Sequence, residues 1–190
     1  MRDILSRYPL DFDIVPIFGV YLIAGKKITP DHMYDRANLA AKHCKGNYIR
    51  NYAFYTRQMS QEIEKEQRIV NSMKSALENH EFVVFYQPKY GLSDNQIAGA
   101  EALVRWKHPE RGMISPGEFI PVFERNGFIT KLDYYVWEQT CIQLRKWLDE
   151  GKSPLPISVN LSRISLYNKD IVHVICNLVD SYRIPHRLFQ

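Results

Sequence analysis

Three short apolar runs in the second half of the chain carry polar residues that core strands usually leave out. They are Tyr86-Gln87-Pro88, Ala100-Glu101-Ala102-Leu103-Val104-Arg105-Trp106, and Ser158-Val159-Asn160. A carboxylate, a guanidinium and two carboxamides brought together on a sheet make the floor of a polar site, binding by charge and hydrogen bonding. The same residues can also be polar groups satisfied at strand ends, and spacing alone leaves both readings open.

The elements that must position them follow from periodicity. Ile97 to Trp106 reads as a strand, so Glu101, Leu103 and Arg105 share one face while Ala100, Ala102, Val104 and Trp106 share the other. The second face is apolar and suits a covering of helices. A charge on the first is rarely left without a partner. Phe82 to Gln87 and Pro156 to Leu161 repeat the pattern, the latter with Ile157, Val159 and Leu161 opposite Ser158 and Asn160. Gly91 to Asn95 predicts a turn that makes the first two strands antiparallel neighbours. His108-Pro109-Glu110-Arg111-Gly112 reads as a loop that His108 fixes.

Ser115-Pro116-Gly117-Glu118 predicts a capping box with Pro at the first helical position, which accounts for Glu118 without a site role. Leu132, Val136, Thr140, Leu144 and Leu148 recur every four residues, broadened by Trp137, Cys141 and Trp147: a core-facing helix that Gly151 ends. Strands alternating with helices predict a βα architecture.

Upstream, Met1 to Arg7 reads as the end of a helix, and Ile14 to Ile23 as a buried strand. Thr29-Pro30-Asp31 opens a helix continued by Met33, Arg36, Ala37, Ala40 and Ala41, with a stop at Gly46-Asn47. Tyr52 to Tyr55 predicts a closing strand. Arg57 to Asn79 is a charged helix with Met59, Ile63, Val70, Met73 and Leu77 at heptad-like spacings, interrupted at Glu66. It serves either as a linker packed on the following domain or as a helix that dimerises or transmits a signal.

Phe85-Tyr86-Gln87-Pro88, Gly99 to Trp106 with His108-Pro109, Ile114-Ser115-Pro116-Gly117-Glu118-Phe119-Ile120-Pro121, and Ser158-Val159-Asn160-Leu161-Ser162 resemble, in order, the motifs of the EAL domain family. That family hydrolyses the bacterial messenger cyclic di-GMP to linear pGpG. The resemblance implies a TIM-like (β/α) barrel segment whose first strand runs antiparallel, with chemistry at the C-terminal strand ends. It implies Glu101 and Asn160 as metal ligands for Mg²⁺ or Mn²⁺, and Gln87, Leu103 and Arg105 as substrate-contacting positions, Arg105 pairing with phosphate. The family's remaining acidic ligands and Lys lie on later strands, so no complete catalytic set is expected within this chain.

Residues 1–55 resemble, more weakly, the C-terminal part of a GGDEF domain, an α+β fold that makes cyclic di-GMP. Ile17-Phe18-Gly19 stands where that family has Ser-x-Gly, Asn38 and Tyr48 replace its Asp and Gly, and Lys45 matches its phosphate-facing lysine. The expected organisation is a degenerate GGDEF remnant at 1–55, a linker helix at 56–79 and the N-terminal half of an EAL domain at 80–190. On this reading the chain is a segment of a longer signalling protein, inactive alone. The intact protein is expected to be a phosphodiesterase or, alternatively, a catalytically inactive cyclic di-GMP receptor or protein-interaction module.

Composition sets the remaining bounds. With 190 residues, 45% hydrophobic and 24% charged, the chain is of ordinary globular type. A formal net charge of +4 gives no reason to expect a nucleic acid polymer or a membrane surface as partner. Cyclic di-GMP is the expected ligand, with a homodimer through the linker helix or the EAL part as a further option. Cys44, Cys141 and Cys176 lack metal-ligand spacing and fit a reducing, cytoplasmic setting. The apolar run Ile14 to Ala24 is too short to span a bilayer and follows no signal peptide, so any membrane anchor is expected outside this chain.

Overall fold

The structure, a computed structural model, describes residues 16–23, 28–45 and 51–190. The readings placed on Met1 to Arg7, Ile14, Gly46-Asn47 and Tyr48 lie outside the described residues. The chain divides into two compact units at Gln67/Arg68.

In the first unit, β1 (Phe18–Val20) pairs in parallel with β2 (Tyr52–Phe54), Phe18 opposite Tyr52 and Val20 opposite Phe54. Helix α1 (Pro30–His43) starts as its sequence dictates: the Thr29 side chain accepts from the His32 N–H, and Pro30 takes the first turn. Gly19 lets this helix lie close on the strand, since a Cβ there would fall 1.7 Å from the Ala37 carbonyl oxygen. Arg36 donates to the Tyr21 hydroxyl at 2.8 Å and lies over the Tyr21 and Tyr55 rings at 5.1 and 5.2 Å. The apolar run through Ile23 yields only a three-residue strand, with Leu22 and Ile23 exposed. Lys45 is exposed.

Helix α2 (Arg57–Glu78) continues past the division. Its C-terminal half buries Ile69 and Ala76 in the second unit's core, with Val70, Met73 and Leu77 packed alongside. The predicted seam is therefore rotated towards Ile69 and Ala76, and Ile63 is 48% exposed.

The second unit is built on a sheet centred on β4 (Ile97–His108). β3 (Phe82–Tyr90) runs antiparallel to it along its length, joined by a turn in which the Asn95 N–H donates to the Gly91 carbonyl at 3.0 Å. On the other edge β5 (Gly112–Ile114) pairs antiparallel with Trp106 to His108, and β6 (Ile157–Ser158) pairs in parallel with Ala100 and Glu101. Ile157 also bridges in parallel to Phe189.

Two readings are corrected here. The strand read over Pro156 to Leu161 has ladder pairing to β4 only at Ile157 and Ser158, and the loop after His108 closes onto a third strand, β5. His108 does fix that loop: its Nδ1 accepts from the N–H groups of Glu110 and Arg111 at 3.2 and 3.3 Å.

Helices α3 (Pro116–Asn126), α4 (Ile129–Asp149), α5 (Arg163–Leu166) and α6 (Ile171–Ser181) complete the unit, with a 3-10 turn at His186–Leu188. The alternation on β3 and β4 sends Phe82 and Trp106 towards the helices. There they meet Phe119 and Phe123 with ring centroids 5.1 to 6.1 Å apart. The buried indole is not left wanting, because Trp106 Nε1 donates to Glu81 Oε2 at 2.9 Å. Helix α4 presents Leu132, Val136, Trp137, Thr140, Cys141 and Leu144 to this core, as the four-residue spacing predicts.

The capping box does not form. Ser115 makes no side-chain cap bond, and Glu118 instead accepts from Arg111 at 3.5 Å. The guanidinium brings a full positive charge to the carboxylate, which the neutral Ser115 backbone N–H does not.

Candidate ligand site on the polar face of the sheet

The face of β3, β4 and β6 turned away from the helices gathers the polar residues into rows. Gln87, Glu101 and Ser158 stand side by side across three strands. One step along the same face come Phe85 and Leu103, and one further step Val83 and Arg105. Successive steps on one face are roughly 6.6 Å apart, so Arg105 lies about 13 Å along the strand from Glu101.

Asn160 joins the first row from beyond the end of β6. Its Nδ2 donates to Glu101 Oε1 at 2.9 Å, which brings together the two residues expected to share a cation. Gln87 and Asn160 are exposed, while Glu101, Leu103 and Arg105 are half-buried. Arg105 Nη1 donates to the Val104 carbonyl at 2.8 Å, laying the guanidinium along its own strand.

Gly99 is the steric condition for this arrangement. A Cβ there would lie 2.6 Å from the Pro156 carbonyl oxygen, at the point where the Ala100 N–H donates to that oxygen at 2.9 Å. Beyond the strand, the Trp137 indole donates to the Asn160 carbonyl at 3.0 Å. The helix-facing side of the same strands is chemically quiet. Burial pushes the Tyr86 hydroxyl up despite a hydrogen bond with Thr140, and burial with the nearby Glu138 charge pushes the Cys141 thiol up to about 12.

The donor set on the polar face consists of oxygens, a carboxylate and a carboxamide that can turn to offer Oδ1, and these are the ligands hard divalent cations prefer. Among the described residues no group of three or more His, Cys, Asp or Glu side chains is placed to hold a metal ion. The sequence reading did not single out Phe85. It is 52% exposed beside Leu103, and the signal was an aromatic on the same strand face as Gln87. Among the described residues no helix is long and apolar enough to cross a membrane.

Residues 70–189 match the EAL domain family. MucR of Pseudomonas aeruginosa, a bifunctional diguanylate cyclase/cyclic di-GMP phosphodiesterase, is 32% identical over 84% of this chain and 23% of its own length. A signalling protein of Caulobacter vibrioides is 37% identical over 79% of this chain and 18% of its own length. The chain thus spans about a fifth of these relatives. Among solved structures, a MucR phosphodiesterase in complex with c-di-GMP superposes with a TM-score of 0.60 at 33% identity, covering 64% of this chain and 49% of that one. The FimX EAL domain of Xanthomonas citri, at 22% identity and a TM-score of 0.58, shares the fold. A parallel β6 on an antiparallel β3–β4 pair, the ordered motifs and these matches agree: the chain belongs to the EAL domain family.

Proposed function

We propose that the polar face of β3, β4 and β6 is part of a cyclic di-GMP site, and that the intact protein hydrolyses this messenger to linear pGpG. The observation that carries the reading is the 2.9 Å contact between Glu101 and Asn160, with Gln87 directly across the ladder from Glu101. Glu101 and the Asn160 carboxamide oxygen would hold a divalent cation, Mg²⁺ or Mn²⁺. Such a cation neutralises phosphate charge and makes an attacking water more acidic.

The chain's own residues bind and orient. The half-exposed pair Phe85 and Leu103 offers an apolar surface for a purine, Gln87 offers a carboxamide to polar ligand atoms, and the Arg105 donor fork matches a phosphate once it turns from the Val104 carbonyl. Glu101 is the group whose loss should matter most, because it supplies the only carboxylate in this row.

The same reading assigns residues 1–55 to a degenerate GGDEF remnant, 56–79 to a linker helix and 80–190 to the N-terminal half of the EAL domain. In its support, the MucR alignment takes in 84% of this chain, more than residues 70–189 make up, and so reaches into the region ahead of them.

The test is hydrolysis of cyclic di-GMP by the full-length protein in Mg²⁺ or Mn²⁺, beside Glu101→Ala and a binding titration in Ca²⁺. Turnover to pGpG that Glu101→Ala abolishes is the expected result. Binding without turnover makes the protein a receptor, and absence of both overturns the cyclic di-GMP reading.

A further inference from the structure

The ladder between β6 and β4 ends at Ser158, two residues short of Asn160. On the far side the Val159 N–H donates to the Gln190 carbonyl at 2.7 Å, but on the side of Glu101 the sheet no longer dictates where Asn160 goes. What holds it there comes from the helix layer.

Helix α4 carries an acidic residue inside its core-facing stripe. Asp133 is 8% exposed and flanked by buried Leu132 and Val136. A carboxylate in that position is costly unless it is hydrogen-bonded. Asp133 Oδ2 accepts from the Ser162 N–H at 3.1 Å and from the Ser165 hydroxyl at 2.8 Å. The Ser162 hydroxyl donates to Ser165 Oγ at 3.0 Å and accepts from the Ser165 N–H at 3.2 Å, capping α5. One turn further along α4, the Trp137 indole holds the Asn160 carbonyl itself at 3.0 Å. Residues 160, 162 and 165 are therefore gripped from one helix, at two points one turn apart.

We propose that Asp133 and Trp137 form a bracket that sets the Asn160 carboxamide against Glu101, and are positioning residues for the ligand site. A core helix needs neither group for packing; Leu and Phe would fill the same space. The arrangement makes sense where a side chain beyond a strand end must be held to a fraction of an ångström, since a misplacement of about 1 Å at a reacting centre is expensive. The inference rests on the reading that Glu101 and Asn160 act together. It extends that reading to residues that touch neither ligand nor cation.

The test uses the full-length protein labelled with ¹⁵N at asparagine and serine, the Asn160 carboxamide signals being those lost in Asn160→Ala. Asp133→Asn and Trp137→Phe are each expected to shift or broaden these signals without added metal. Asp133→Asn should also speed Ser162 amide exchange at least tenfold. Ser165→Ala, which leaves the Ser162 bond in place, should give a smaller change in the same direction.

Faster exchange at Ser162 with unchanged Asn160 carboxamide signals in both variants would make the bracket a fold clasp only and overturn the proposal. Should Asp133→Asn fail to fold, Trp137→Phe and Ser165→Ala decide by the same signals. An Mg²⁺ titration of the full-length wild-type protein, which carries the remaining expected ligands, separates the two claims. Asn160 signals blind to Mg²⁺ count against the cation reading, whereas the metal-free comparison decides the bracket.

Discussion

The two faces of β4 are made from alternate residues of one strand, and they are held to different standards. On the helix side, Ala102 and Trp106 are buried beneath an aromatic cluster, and the one indole N–H there has its acceptor. On the other side, Glu101, Leu103 and Arg105 are half-buried, and the partners of Glu101 and Arg105 are an exposed carboxamide and a backbone carbonyl. The difference teaches that period-two alternation lets a single strand separate the residues that keep the fold from those proposed to meet a ligand.

The sharpest way to break that separation is to exchange the expected consequences. Trp106→Ala should cost about 3–5 kcal/mol of stability, because it removes a large side chain from a closed aromatic cluster. Denaturant unfolding measures this, and a loss below about 1 kcal/mol would mean the helix-facing side is not what holds the unit together.

Gly99→Ala sits between the two faces. Its methyl would press on the Pro156 carbonyl, costing about 1–3 kcal/mol as overpacking does. It should also disturb the Asn160–Glu101 contact, so its unfolding curve and its ligand titration are both expected to move.

Glu101→Ala should do the reverse of Trp106→Ala. Cyclic di-GMP affinity is expected to fall at least tenfold, about 1.4 kcal/mol, while the unfolding free energy stays within a few tenths of a kcal/mol of the wild type. A large loss of stability at Glu101 would erase the contrast between the faces.

The last effect, small near neutral pH, is on pH dependence. Cys141, with its thiol raised from 9.0 to about 12 by burial, keeps its proton in the folded chain while the unfolded chain gives it up. Below pH 9.0 both states hold the proton and the buried thiol contributes fully; above it only the unfolded state ionises, so stability falls as the pH climbs towards about 12. Urea titrations at increasing alkalinity should show the wild type losing its stability advantage over Cys141→Ala in that window, and a constant difference would refute the assignment.

Much of this was legible in the sequence because alternation and four-residue spacing are strong signals. The faces of β4, the turn after Gly91, the Thr29 cap and the core side of α4 all follow from residue order. What escaped was decided by competition between neighbours or hidden by brevity. Glu118 had two suitors and Arg111 won it. β5 has three residues and β6 two, too few to leave a period. The α2 seam was read through Ile63, which the fold leaves outside, and missed Ile69 and Ala76, because a charged helix with scattered apolar residues fits more than one face. In the site, Glu101 and Asn160 were legible as types, and their contact was not, since nothing local links residues 59 positions apart. Asp133 was hidden by the apolar stripe around it.

That separation of 59 residues has a consequence in time. The β3–β4 hairpin is local and can close within microseconds of becoming available, so Gln87, Glu101 and Arg105 share a surface early. At about 5–20 residues per second of synthesis, Asn160 leaves the ribosome roughly 3–12 s after Glu101. For those seconds the nascent chain displays a charged row without its amide partner, and the last groups to complete it arrive only once α3 and α4 have been made. The order of synthesis therefore delivers the scaffold before it delivers the site.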